Sequence, residues 1–129
     1  MTKPVLAAMA AVLCMSASPA FAYKIYVSNE RGNDVTRLDS ATFEVVDTIK
    51  VGQRPRGIVV SPDGTKLYVC ASDDDTIEVI DTATHQITGT LPSGPDPELM
   101  VVSPDGTRMY VANAVSYTHL RAHETRHDL

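Results

Sequence analysis

Apolar positions in this chain come in short runs of five or six residues, separated by clusters of turn-forming residues. Lys66–Ala71 and Thr76–Asp81 are rich in β-branched and aromatic side chains. They are bounded by Pro62-Asp63-Gly64, by Asp73-Asp74-Asp75 and by Thr82-Ala83-Thr84, which carry the chemistry of turns. Between Tyr23 and Ala114, no stretch keeps apolar residues at helical spacing for three turns. The pattern predicts a unit of four strands over Gly57–Ser61, Lys66–Ala71, Thr76–Asp81 and Gln86–Leu91. Three further strands are predicted before it, over Lys24–Ser28, Asp34–Asp39 and Glu44–Lys50. Two follow it, over Leu99–Ser103 and Arg108–Asn113.

The same landmarks return at one offset. Tyr26-Val27, Tyr68-Val69 and Tyr110-Val111 stand 42 residues apart, as do Ser61-Pro62-Asp63-Gly64 and Ser103-Pro104-Asp105-Gly106. Asp39-Ser40-Ala41-Thr42 recurs as Asp81-Thr82-Ala83-Thr84, and Gly52-x-x-Pro55 as Gly94-x-x-Pro97. A repeat near 42 residues built from strands points to four-stranded propeller blades, and one built from helices to HEAT or armadillo units. The strand pattern decides for blades. Adjacent apolar pairs such as Val59-Val60 and Val101-Val102 suit sheets covered on both faces, and Gly64 is placed where a tight turn needs a positive φ.

These repeats resemble the YVTN family of β-propellers, whose tetrapeptide is matched by Tyr26-Val27-Ser28-Asn29 and less fully by Tyr68-Val69-Cys70-Ala71 and Tyr110-Val111-Ala112-Asn113. With the Gly52-Gln53-Arg54-Pro55-Arg56-Gly57 and Ala71-Ser72-Asp73-Asp74-Asp75 loops, residues 1–114 look like the periplasmic propeller subgroup associated with pyrroloquinoline-quinone-dependent alcohol catabolism. The resemblance implies a ring of seven blades, for which 42-residue units require about 294 residues. Residues 23–114 hold little more than two blades. The expectation is therefore an all-β propeller fragment, whose two end faces are apolar and uncovered.

The flanks differ from the repeats. Lys3, an apolar stretch from Val5 to Met15 and the small-x-small pattern Ala20-Phe21-Ala22 read as a signal peptide over residues 1–22, cleaved between Ala22 and Tyr23. The apolar stretch is too short to span a bilayer. The mature chain is thus expected to be periplasmic or secreted, with no membrane span. Residues 115–129 break the repeat and resemble translated sequencing-adapter read-through, so they are expected to be non-native or disordered.

Composition narrows the function. Eleven Lys and Arg against 16 Asp and Glu give a net charge of −5, and Trp is absent, which argues against nucleic acid as a partner. The two cysteines do not make a disulfide framework; Cys14 falls in the signal segment and Cys70 in an apolar strand, where it reads as a small hydrophobe. His123-Glu124-Thr125-Arg126-His127 matches H-E-x-x-H, which on a helix places two imidazoles on one face to hold zinc. His123, Glu124 and His127 nevertheless lie in the aberrant tail with no third ligand or cleft around them, so no metal site is assigned. Asp73-Asp74-Asp75 lacks the alternating spacing of a calcium loop. No nucleophile–base pair and no phosphate-binding glycine loop is present in the sequence. The chain is read as a non-catalytic binding or accessory protein needing no cofactor, with an unidentified protein or small molecule as partner. The rival readings are a haem-binding electron-transfer propeller of the nitrite-reductase type, which the resemblance makes relevant, and an adhesion or structural propeller.

The candidate site is the mouth of the central channel. Arg54 and Arg56 in one repeat align with Asp96 and Glu98 in the next, in loops that lead into innermost strands. Opposite charges at equivalent positions fit either an inter-blade ion pair or part of a ligand site.

Overall fold

The computed structural model describes residues 23–114 and 124–129. Three antiparallel sheets follow one another along the chain. The first has the order β1 (Lys24–Asn29), β2 (Asp34–Asp39), β3 (Val45–Lys50). The second is complete, with β4 (Pro55–Val60), β5 (Lys66–Ala71), β6 (Thr76–Asp81) and β7 (Ile87–Pro92) side by side in sequence order. In the third, β9 (Arg108–Asn113) lies between β8 (Pro97–Val102) and β10 (Glu124–Asp128). Each of the nine strands predicted before residue 114 is present. The innermost strands begin two residues earlier than the sequence indicated, because a proline can open a strand without a ladder hydrogen bond.

The sheets stack face to face, and alternation along β5 shows how. Leu67 and Val69 join Val35, Ile49 and Ile80 in a core between the first and second sheets. Tyr68 and Cys70 point the other way and join Ile77, Met100, Met109 and Val111 between the second and third. A run of apolar residues without polar alternation is what a strand needs when both of its faces are covered. On the innermost strand that role falls to Ile58 and Val59, which pack into opposite cores, whereas Val60 is exposed at the strand end. Val101 is exposed as well, since no described sheet covers it.

The 42-residue period extends into the backbone. A bulge between Arg37 and Leu38 in the first sheet recurs between Val79 and Ile80 in the second. Left-handed conformations fall at Asn33 and Asp75, at Phe43 and His85, and at Arg54 and Asp96, three pairs each separated by one period. Gly64 and Gly106 have φ of 74° and 72°, as their turns require. In each of those turns an aspartate fixes the loop. Asp63 Oδ1 accepts from the Ser61 hydroxyl at 2.6 Å, the Thr65 amide at 3.0 Å and the Thr65 hydroxyl at 2.8 Å. Asp105 repeats this set with Ser103 and Thr107. Those bonds favour the ionised carboxylates and hold both acids down to about 2.

Within the tail expected to be non-native or disordered, residues 115–123 lie outside the described residues, and Glu124–Asp128 pairs antiparallel with β9, Glu124 opposite Ala112 and Asp128 opposite Arg108. The outer edge of β9 presents main-chain donors and acceptors that must be satisfied, and such groups accept an extended segment whatever its side chains. The expected signal segment, residues 1–22, lies outside the described residues; the chain is described from Tyr23, whose amide donates to Ser40 Oγ at 2.6 Å. Among the described residues, no helix is long and apolar enough to cross a membrane.

Candidate functional site at the inner end of the sheets

Antiparallel alternation brings the β1–β2, β3–β4, β5–β6 and β7–β8 connections to one end of the stack. There the loops hold one another. Arg54 N–H donates to Asn33 Oδ1 at 2.9 Å, and one period later Asp96 N–H donates to Asp75 Oδ1 at 2.8 Å. Gln53 N–H donates to Asp74 Oδ2 at 2.7 Å and Gly52 N–H to Glu78 Oε2 at 3.0 Å. Burial raises the Glu78 carboxyl above its usual range, with the Gly52 amide opposing that shift. The Asp73-Asp74-Asp75 turn thus organises the incoming innermost strand through its carboxylates, a role its sequence did not reveal.

All four candidate residues take part in ion pairs between sheets. Arg54 pairs with Asp96 through Nη2, while its Nε lies 2.9 Å from Asp73 Oδ1, off the N–H axis. The hydrogen bond to Asp96 raises the Arg54 guanidinium further above its already high value. Arg56 pairs with Glu98 on the following innermost strand and, at 3.3 Å, with Glu30 of the preceding sheet. One guanidinium therefore links three successive sheets. The Arg54–Asp96 and Arg56–Glu98 side chains are about one-third exposed and Asp73 and Glu30 about half exposed, so water screens each pair and it contributes little to stability. Their arrangement matters more than their strength.

The structure divides the four residues. Arg56 and Glu98 line a groove of about 390 Å³ with Ser28, Glu30, Pro55, Gly57 and Leu99. Arg54 and Asp96 lie in the loops beside it. Sequence reasoning missed Glu30 and Asp73. Glu30 directly follows the Tyr26–Asn29 tetrapeptide, at the position Ser72 occupies one period later. Ser72 is buried and donates to Pro97 O at 2.5 Å. That position abuts the next innermost strand in both sheets, and this is the signal that points to it.

The remaining chemistry-bearing residues lie elsewhere. Cys70 is buried in the second core, which pushes its thiol up to about 11, outside the range of a reactive thiolate. His85 sits at the opposite end, its Nδ1 3.3 Å from Asp47 Oδ2 of the first sheet. Of the H-E-x-x-H residues, His123 lies outside the described residues, and Glu124 through His127 belong to a strand rather than the helix the motif requires. No group of three or more potential metal ligands occurs among the described residues.

Comparison with solved structures decides the architecture. The chain superposes on Kuenenia stuttgartiensis hydrazine synthase with a TM-score of 0.68 and 34% identity, over 70% of this chain and 26% of that one. A functionally unknown protein from Desulfotomaculum acetoxidans matches with a TM-score of 0.62 and 23% identity, over 70% and 31%. Dihydro-heme d1 dehydrogenase NirN, in complex with DHE, matches at 0.61 and 24%, over 70% and 19%. The fold is that of a β-propeller. The three sheets are its blades, and the groove at Arg56 lies on their inner edge. The chain spans between a fifth and a third of the length of these relatives in structure. No protein-family model and no curated protein matches the sequence.

Proposed function

We propose that the chain is the binding part of an exported, non-catalytic propeller that serves as an accessory to quinone-dependent alcohol oxidation in the periplasm. The observation that carries the binding role is the Arg56 groove. A guanidinium at the inner end of the blades is held by Glu98 on one side and by Glu30, at 3.3 Å, on the other. An anionic group on a partner or small molecule can replace Glu30, the longer of the two contacts, without dismantling the inter-blade pair. The export signal and the family resemblance support the compartment and the pathway.

The haem-binding alternative draws no support from the placement of histidine. His85, the single histidine of the repeats, lies at the end away from the groove and faces Asp47. The deciding experiment is deletion of the gene in its own bacterium, followed by growth on an alcohol and on an organic acid. Slow growth on the alcohol alone, restored by the wild-type gene and not by Arg56→Ala, is the expected result. Normal growth on both carbon sources overturns the pathway assignment, and full rescue by Arg56→Ala overturns the site.

A further inference from the structure

The outer halves of the first two blades meet through charges that the repeat does not require. Arg37 on β2 and Asp47 on β3 stand directly opposite each other, so their side chains share one face of the sheet. That face is turned toward the second blade, because Val35 and Ile49, two residues away on the same strands, pack into the core between the two. One period later the same positions hold Val79 and Gly89, so a blade stacks on its neighbour without either charge. Although adjacent, Arg37 and Asp47 do not pair. Among the described residues the Arg37 Nε–H is buried without a hydrogen-bond partner, and the guanidinium forms no ion pair. Asp47 divides its oxygens otherwise: Oδ1 accepts from the Thr48 amide at 2.8 Å, and Oδ2 lies 3.3 Å from His85 Nδ1, in the β6–β7 connection of the second blade. The Asp47 side chain is 42% exposed and free to turn, whereas His85 is 15% exposed.

We infer that Asp47 is a pH-operated latch between the first two blades: it holds His85 of the second blade while that ring is protonated, and turns to Arg37 of its own blade once the ring is neutral. The latched arrangement is the one in this structure. Imidazole is the side chain whose charge changes between about pH 5 and 8, and a guanidinium keeps its charge throughout that range. Facing a neutral ring, the carboxylate loses its ion pair, while Arg37 opposite it still offers a full charge and an unpartnered N–H. The other charged groups around the ring have partners of their own. Lys50, beside Asp47 on the hollow that His85 also lines, is held by Asp34 at 3.0 Å. Asp39 and Asp81 accept main-chain amides within their turns, and Lys24 donates to the Thr82 carbonyl at 2.8 Å. The Tyr26 hydroxyl, near Arg37, stays neutral over this range because burial raises it. Asp47 is therefore the group that moves, and the outer rims of the two blades are tied at acidic pH and released as pH rises.

The test is a pair of double-mutant cycles on the full 129-residue chain, read as melting temperature at about pH 5.5 and about pH 8, near the two ends of the imidazole range. Arg37→Met keeps the aliphatic stem, and His85→Asn keeps a residue that tolerates the left-handed backbone at position 85. At the lower pH, Asp47→Asn should lower the melting temperature by about 2–4 °C in the wild type and leave it unchanged in His85→Asn. At the higher pH the same loss should persist in His85→Asn and vanish in Arg37→Met. Coupling of Asp47 to His85 that is equal at both pH values overturns the inference, as does the lack of coupling between Asp47 and Arg37 at the higher pH. Should a variant fail to fold, nuclear magnetic resonance of the wild type makes the same decision. The Arg37 Nε–H signal should move downfield as pH rises, with the same midpoint as the His85 ring signals. A signal that stays in place, or that follows a different midpoint, overturns the latch.

Discussion

Replacing Gly57 by alanine puts a methyl group at the closest approach between the second and third blades. A Cβ there lies 2.6 Å from the Glu98 carbonyl oxygen, 3.0 Å from Leu99 Cα and 3.2 Å from Cys70 Sγ. The first two atoms belong to the backbone of β8, which is held by its ladder to β9 and cannot swing aside as a side chain can. Overpacking of this kind costs about 1–3 kcal/mol, and obstruction by main chain places the cost near the upper end. With a urea m-value of about 1.5 kcal/mol/M, the midpoint falls by about 2 M. Gly89→Ala is the internal control: it lies on β7, and an added Cβ meets nothing within 4 Å. That variant should be neutral or slightly more stable, by up to about 1 kcal/mol, through the reduced freedom of its unfolded chain. Urea titration of wild type and both variants by far-ultraviolet circular dichroism reads the comparison. Equal midpoints for the two alanine variants would refute the claim that the close approach of β8 is what requires glycine at position 57.

Two further perturbations probe the turns. Asp63 and Asp105 have folded-state values of about 2, below the ordinary carboxylate value of 3.8, so their contribution to stability is complete above about pH 4 and is lost as pH falls toward 2. The double variant Asp63→Asn/Asp105→Asn should melt below the wild type at pH 7 and together with it at pH 2; a gap of equal size at both pH values contradicts this. Phe43 is exposed and holds φ at 57°, a conformation that costs a bulky residue about 1 kcal/mol. Phe43→Gly should therefore raise the melting temperature by about 4 °C, and a fall in calorimetry shows instead that the phenyl ring makes a contact of greater value.

Much of the fold could be read from residue spacing because blades repeat. The tyrosine–valine pairs and the Ser-Pro-Asp-Gly turns each mark a local structure with a local cause, and their common offset locates every strand up to Asn113. Local rules failed where tertiary contacts chose the outcome. Phe43 and Arg54 are not residues that favour a left-handed backbone, and each adopts it because its place in the blade demands it. Glu124–Asp128 carries no repeat signature, yet an unfilled sheet edge takes it up. The candidate site was legible in its charges and not in its geometry: the alignment of Arg54 with Asp96 and of Arg56 with Glu98 was visible, whereas the contribution of Glu30, 26 residues from Arg56, was not.

The amino-acid sequence by itself determined the strands, the turns between them and the repeat that makes each sheet equivalent to the next. These depend on alternation of side chains and on the conformational preferences of a few neighbouring residues. Tertiary packing alone sets which faces of the described strands are covered and lets one arginine tie three blades together. Such features arise from the stacking of sheets, where residues distant along the chain meet and exclude water together, and no local preference encodes that meeting.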